Sequence, residues 1–328
     1  MNLPFLTTWY EKYTENNSID LDSSMQYMFE KVGERDPSYK NFLEKLEKLK
    51  TLFSLVRLPD REKRLGLLKY IYYAMRLIDD ICDGDTPINI DIEVRREYIS
   101  QIVKGNIPDD LLWDFLKKIQ ILSQELGIEQ EVKDGMQKII QSIQFDIERI
   151  VDPDKLRNEE SLQENFHRMD IDGSINLTSL IFGLNVEMSH ELTKELWEAS
   201  RIWYTLMDFR EDMVEWLINI PKEDFQKYKI SLKEIEIFKT DWTLSEWMKK
   251  WLRVKVCEAH QMLKIYQKKR ETFSIDLSYT KNWFLKKLYN YLLKRYVLSS
   301  YVHDIKQAKQ KTIAMVEGWL RESTHHWL

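Results

Sequence analysis

Apolar residues recur at three- and four-residue intervals along most of the chain from about residue 38. Between Pro59 and Gly84 this spacing is clear at Leu65, Ile71 and Ile78, and it is typical of one buried helix face. Proline favours the first turn of a helix and glycine its end, so the pattern predicts a helix from about 60 to 83. The same criterion predicts further helices at roughly 91–104, 109–126, 129–150, 174–184, 190–219, 244–272, 280–303 and 305–321.

Residues that break helices are scarce, with 9 glycines and 7 prolines in 328 residues. This scarcity leaves little room for hairpin turns or glycine-rich phosphate loops. The most polar interior segment, 152–173, is predicted to be a loop. No repeat or linker divides the rest of the chain. We therefore predict an all-α fold, with an N-terminal extension at 1–35 and a single domain of about ten helices at 36–328.

Two acidic clusters lie about 130 residues apart, each within an apolar stretch predicted to be helical. The first cluster consists of Asp79, Asp80 and Asp83, and the second of Asp208, Glu211, Asp212 and Glu215. Residues three or four apart share a helix face, so the carboxylates of each cluster converge and repel unless a cation compensates them. Mg²⁺ binds a few carboxylates together with substrate phosphates. The clusters therefore predict a metal–diphosphate clamp in which two such faces oppose each other across a helical cavity.

Within each cluster, spacing separates direct ligands from supporting residues. Asp79 and Asp83 are four apart, as are Asp208 and Asp212, and we expect these to be the direct pairs. Asp80 points about 100° away from Asp79 on an ideal helix. Arg76 or a metal-bound water would help to orient Asp80, while Glu211 and Glu215 would support the second pair.

Composition and charge limit the classes of function and the cellular compartment that fit this chain. A net charge of −5 argues against a nucleic-acid surface, and the two cysteines have no metal or redox spacing, which suggests a reducing compartment. With no signal peptide and no apolar run approaching 18 residues, we expect a cytoplasmic protein without a membrane span.

The basic runs 249–253 and 268–270 are interpreted as solvated faces, with peripheral contact to anionic lipid as the alternative. The six histidines show no ligand spacing, so no zinc is assigned.

Several short motifs follow one another in an order that extends over roughly 48–300. They are Phe53-Ser-Leu-Val-Arg-Leu58-Pro59, Tyr72-Tyr-Ala-Met-Arg76-Leu-Ile-Asp79-Asp80-Ile-Cys-Asp83, Gln144-Phe-Asp146, Ile171-Asp-Gly173-Ser-Ile-Asn176, Asp208-Phe-Arg-Glu211-Asp212 and Asn219-Ile220-Pro221. Their order resembles that of the squalene/phytoene synthase family, which joins two prenyl diphosphates head to head. The resemblance implies an isoprenoid-synthase helical bundle with a central active-site cavity, Mg²⁺, a C15 or C20 prenyl diphosphate substrate and release of pyrophosphate.

Candidate catalytic residues lie beside the clusters. Arg76 shares a face with Asp79 and would hold a phosphate oxygen, with a structural ion pair as the alternative. Arg201, seven residues before Asp208, would supply positive charge, with a surface arginine as the alternative. Aromatic faces stabilise carbocations, and the candidates are Tyr72, Phe182, Tyr204 and Tyr289, the last of which is similar to a tyrosine on a late helix of the family. Plain core packing is the alternative for each aromatic residue.

The chain departs from the family pattern around the second cluster. Arg201 and Tyr204 stand where the family has Gln and Asn, and Leu217 and Asn219 stand where it has Arg and Tyr. These departures leave a second interpretation open, in which the protein is a terpene synthase that ionises a single prenyl diphosphate on the same fold. A catalytically silent protein that binds lipid or a partner is a third alternative. No glycine-rich dinucleotide motif indicates NADPH, whose use stays open, as does the oligomeric state.

Overall fold

The computed structural model describes residues 38–55, 57–84, 90–107, 111–272 and 281–292, together with residues 306, 309, 310, 313 and 314. The regular elements within these ranges are helices, which confirms the predicted all-α fold. In chain order they are α1 (Ser38–Leu55), α2 (Arg61–Asp83), α3 (Ile92–Val103), α4 (Leu111–Glu125), α5 (Glu129–Val151), α6 (Glu159–His167), a π-helix (Arg168–Ile175), α7 (Asn176–Phe182), α8 (Val186–Met207), α9 (Phe209–Val214), α10 (Lys222–Lys227), α11 (Leu232–Asp241), α12 (Glu246–Thr272) and α13 (Trp283–Leu292). None of the described helices is long and apolar enough to cross a membrane.

The chain divides into two compact units. Among the described residues, the first unit contains the chain up to Ile147, the segment Asp172–Val186 and residues 281–285. The second unit contains Glu148–Ile171, residues 187–272 and the described residues from Lys286 onward. Each acidic cluster therefore belongs to its own unit.

Helix α2 is the centre of the first unit and contacts α1, α3, α4 and α7. On its inner side the ring of Tyr73 packs against that of Phe115, with centroids 5.8 Å apart. Arg64 reaches across to the last turn of α7, where its Nη1 donates to the carbonyl oxygens of Leu180 at 2.9 Å and Ile181 at 3.1 Å. Carbonyls at a helix end lack partners within the helix, so this arginine ties α7 to α2.

The second unit has its own apolar core. Phe209, at the start of α9, lies at its centre, with its ring centroid 5.6 Å from that of Phe238 and 5.9 Å from that of Trp251. The indole Nε1 of Trp251 donates to Oδ2 of the buried Asp224 at 2.7 Å. Burial of Phe209 holds the end of α8 and the start of α9 in place, and the second acidic cluster lies on this part of the chain.

Three sequence-based assignments were wrong. The segment 152–173 is largely helical rather than a loop, because Asn158 caps α6 by accepting a hydrogen bond from the Ser161 amide at 2.9 Å and acidic residues fill the first turn. The predicted helix 190–219 is interrupted at Asp208 and ends at Val214. Helices α10 and α11 were missed, although Ser231 and Glu234 form a capping box at the start of α11. The predicted extension 1–35 and much of the two last predicted helices lie outside the described residues.

Packing of α1 on α7 gives a stability prediction. The Phe53 ring is fully buried and meets the Phe182 ring edge to face, with centroids 5.0 Å apart. Phe53→Ala should lower the free energy of unfolding by about 3–5 kcal/mol, since it removes a large side chain and leaves a cavity. The control Leu55→Ala, at a position 55% exposed on the same helix, should change it by less than about 0.5 kcal/mol. Urea denaturation followed by circular dichroism measures both, and equal effects would contradict this packing.

Candidate functional site

The first acidic cluster occupies the last turns of α2. Its three carboxylates differ in exposure: Asp80 is 3% exposed, Asp79 is half-buried and Asp83 is exposed. Gly84 then ends the helix in the left-handed region, with φ at 80°. The cluster thus runs from the buried side of α2 to its solvent-facing end.

Arg76 compensates the buried part of this cluster. Its Nε lies 2.8 Å from Oδ1 of Asp80, and its Nη1 lies 3.5 Å from Oδ2 of Asp79. A buried carboxylate requires a positive partner, and Arg76 supplies one from the preceding turn. The structural ion pair that the sequence offered as the alternative for Arg76 is therefore present.

The buried thiol of Cys82 lies on the same turns of α2 as the first acidic cluster. Burial raises the pKa of its thiol well above the ordinary value, and the charges of Asp83 and Asp79 raise it further, while Arg95 opposes them. Ionisation of the Cys82 thiol is therefore disfavoured, first by burial and then by the neighbouring carboxylates.

The second acidic cluster extends from the end of α8 through α9. Asp208 lies between the two helices, with φ at −90° and ψ at 6°. The backbone still continues the helical hydrogen bonds, because the Asp208 amide donates to the Tyr204 carbonyl at 2.9 Å and the Asp212 amide donates to the Asp208 carbonyl at 2.8 Å. Asp208 and Asp212 therefore keep the four-residue relation on which the predicted pairing depends. Glu211 and Glu215 are exposed beside them.

Asp212 is held by a side chain that lies beyond the end of α9. The amide Nδ2 of Asn219 donates to Oδ2 of Asp212 at 2.8 Å. Arg149, on the last turn of α5, donates in turn from Nη2 to Oδ1 of Asn219 at 2.7 Å and to the Ile218 carbonyl at 2.5 Å. Neither Arg149 nor this connection was identified from the sequence.

Arg201 is bound to another acid of the same unit. Its Nε donates to Oδ2 of Asp170 at 2.8 Å, and its Nη2 donates to Oδ1 of that carboxylate at 2.5 Å. The guanidinium also lies 5.0 Å from the centroid of the Phe166 ring. Such bidentate pairing with Asp170 fixes the orientation of Arg201. Arg201 is thus an oriented, partly buried cation rather than the surface arginine considered as its alternative.

Asp208 has a perturbed carboxyl group. Although the residue keeps contact with solvent, surrounding protein atoms desolvate the carboxyl and raise its pKa from 3.8 to about 6. Repulsion from Glu211 adds to this increase, and attraction to Arg201 opposes it. Ionisation of Asp208 is therefore disfavoured in the fold, and a bound cation would relieve that cost.

A cavity of about 710 Å³ lies within the second unit next to this cluster. Its wall includes both Arg201 and Asn219, the partner of Asp212. The apolar lining consists of Leu162, Phe166, Ile171, Trp197, Ile202, Leu206, Pro221, Trp251 and Met262. Charged side chains at its edges include Asp170, Glu191, Lys194, Glu198 and Lys255. The cavity thus joins a largely apolar interior to the polar groups around Asp212.

The aromatic residues proposed from the sequence differ in their exposure and packing. Tyr72 is half-buried, with its ring centroid 6.3 Å from that of Tyr73, and Tyr204 is 39% exposed. Phe182 is buried against Phe53, which is core packing. Tyr289 lies on α13, and its side chain is outside the described residues. The aromatic rings that line the cavity, Phe166, Trp197 and Trp251, were not among the candidates, because nothing in their local sequence separates them from core residues.

Comparison with known proteins supports the fold. A solved structure of squalene synthase HpnC from Alicyclobacillus acidocaldarius is similar, with a TM-score of 0.50 and 15% sequence identity over 92% of this chain and 97% of that one. At this identity the likeness establishes a shared helical fold. No family model matches the chain, and no curated protein matches its sequence.

The raised pKa of Asp208 gives a prediction about stability and pH. The folded protein binds a proton at Asp208 more tightly than the unfolded chain does, so this group destabilises the fold progressively between pH 3.8 and about 6, and fully above that range. Asp208→Asn removes the cost and should raise the melting temperature at pH 8 in EDTA. The gain should shrink as the pH falls from 6 toward 4. Thermal unfolding of both proteins across this range measures it, and a difference that does not vary with pH would contradict the assignment.

Proposed function

We propose that the protein is a Mg²⁺-dependent enzyme that ionises prenyl diphosphates and joins two of them head to head with release of pyrophosphate. The main support for the proposal is the pair of acidic clusters on a fold shared with a squalene synthase. Arg76 contacts Asp80 in the first cluster, and Arg149 is linked to Asp212 in the second through Asn219. Carboxylates beside fixed cations are suited to binding a metal–diphosphate group.

The carboxylates fit Mg²⁺ as partial ligand sets. Within the described part of the chain, no three His, Cys, Asp or Glu side chains converge to form a complete metal site. Mg²⁺ usually takes one or two protein carboxylates and completes its shell with water and substrate phosphates. Asp79 and Asp83 would supply the first pair, and Asp208 and Asp212 the second. When bound with diphosphate, the metal would neutralise the charge that develops on the leaving group.

The remaining residues would orient the substrate and shield it from water. Arg76 orients Asp79 and Asp80 and would donate to a phosphate oxygen from the same helix face. In the second unit, the apolar cavity beside Asn219 would hold a prenyl chain, with the rings of Trp197 and Trp251 in its wall. Aromatic faces stabilise a carbocation without reacting with it.

A second candidate function is a terpene synthase that ionises one prenyl diphosphate and ends by cyclisation or proton loss. It is favoured by the bidentate pairing of Arg201 with Asp170. Arg201 stands where the resemblance places an uncharged glutamine. Its ion pair with Asp170 changes the polarity of the cavity wall that a second substrate would contact.

The count of carbon atoms in the product distinguishes the two candidates. The purified full chain is incubated with C15 and C20 prenyl diphosphates and Mg²⁺, with and without NADPH. Pyrophosphate release is measured, and the hydrocarbon is identified by mass spectrometry. A product with twice the carbon count of its substrate is expected. An unchanged count would support the second candidate, and no pyrophosphate release from either substrate would overturn both.

Substitution of the acids tests their separate roles. Asp79→Ala and Asp212→Ala should each reduce turnover about 100-fold or more, since direct ligands stabilise charge that develops on the leaving group. Glu215→Gln, at an exposed supporting position, should leave a measurable fraction of activity. Far-UV circular dichroism should show the same helical content in all three. Full activity of Asp212→Ala would show that the second cluster takes no part.

A further inference from the structure

Arg149 is an almost fully buried cation at the end of α5, with 4% of its surface exposed. Burial of a guanidinium is unfavourable unless its donors are satisfied. Nη2 of Arg149 donates to two oxygens of one short segment, the Ile218 carbonyl and Oδ1 of Asn219. The arginine therefore fixes the chain just beyond α9 as well as a single side chain.

This contact determines which way the Asn219 amide faces. Arginine is a donor only, so the amide must present its oxygen to Arg149. The amide NH₂ group consequently points the other way, toward Oδ2 of Asp212 at 2.8 Å. If Arg149 were removed, the hydrogen bond to Asp212 alone would hold the amide, and the orientation of both side chains would be less restricted.

Two arginines of the second unit lie beside the second cluster, Arg201 on α8 and Arg149 on α5. The guanidinium of Arg201 is held by the carboxylate of Asp170. Arg149, by contrast, is linked to the cluster through Asn219. The chain thus supplies a positive charge from α5 and a donor to Asp212 from Asn219, which lies beyond the end of α9.

We propose that Arg149 and Asn219 form a positioning relay that orients the Asp212 carboxylate and thereby sets the affinity of the second acidic cluster for a divalent cation. The inference rests on the proposed function, because it takes Asp212 as a metal ligand. Partners that orient metal ligands commonly contribute about 10–100-fold to metal affinity. Neither residue need touch the metal or the substrate for this effect.

Mn²⁺ binding in the presence of inorganic pyrophosphate tests the relay without measuring turnover. Electron paramagnetic resonance of free Mn²⁺ gives the dissociation constant for the full chain and for each variant. Arg149→Met and Asn219→Ala should each raise this constant about tenfold. The double variant should be no weaker than Asn219→Ala alone, because the relay connects the arginine to Asp212 through that amide.

Arg64→Met is the matched control. Like Arg149, Arg64 donates to backbone carbonyl oxygens of another segment, here the last turn of α7. It lies in the first unit. Its loss should lower stability and leave Mn²⁺ affinity unchanged. Asn219→Ala, at a half-buried position, keeps the test decisive if Arg149→Met does not fold.

The outcomes separate the relay from the proposed function. Parental Mn²⁺ affinity in Asn219→Ala, or additive losses in the double variant, would overturn the relay and leave the proposed function standing. A parent protein that binds no Mn²⁺ with pyrophosphate would overturn the proposed function and the relay with it.

Discussion

A carboxylate that is packed into an apolar helical core must be compensated by positive charge, and Asp80 of the first cluster shows this requirement most clearly. Asp80 is 3% exposed, yet it lies on a helix whose other inward positions are apolar. Arg76, one turn earlier, meets it at 2.8 Å. At Asp208, which is exposed as a residue, surrounding protein atoms still desolvate the carboxyl and raise its pKa to about 6. A cation bound beside such a group would relieve the cost of ionising it.

The two clusters meet the requirement in different ways. In the first, the cation and the acids share one helix, so helical geometry alone sets their distances. In the second, the helix bends at Asp208. Arg201 precedes Asp208 on α8, but the side chains that complete the arrangement come from elsewhere in the chain. Arg149 acts through Asn219, and Arg201 is fixed by Asp170 near Asp208. The arrangement of the second cluster therefore depends on tertiary packing, with Phe209 as its anchor in the core.

This difference explains what could be predicted from the sequence. Helix α2 was predicted at about 60–83 and is found at Arg61–Asp83, because its period and its two end signals agree. The sequence could single out the acids of both clusters and Arg76 as candidates because their relations are local. Arg149 and Asp170 were missed because their partners lie 70 and 31 residues away, and no short-range pattern marks such pairs. The loop predicted at 152–173 failed because its polar residues are the cap and the exposed face of α6.

The central claim is that both clusters bind divalent cations together with a prenyl diphosphate. The most direct measurement is a crystal structure of the full chain with Mn²⁺ and a non-hydrolysable prenyl thiodiphosphate, with data collected at the manganese absorption edge. Anomalous peaks should lie within coordination distance of carboxylates in both clusters, with the diphosphate oxygens completing the metal shells. A bound analogue with no anomalous peak at either cluster would contradict the account.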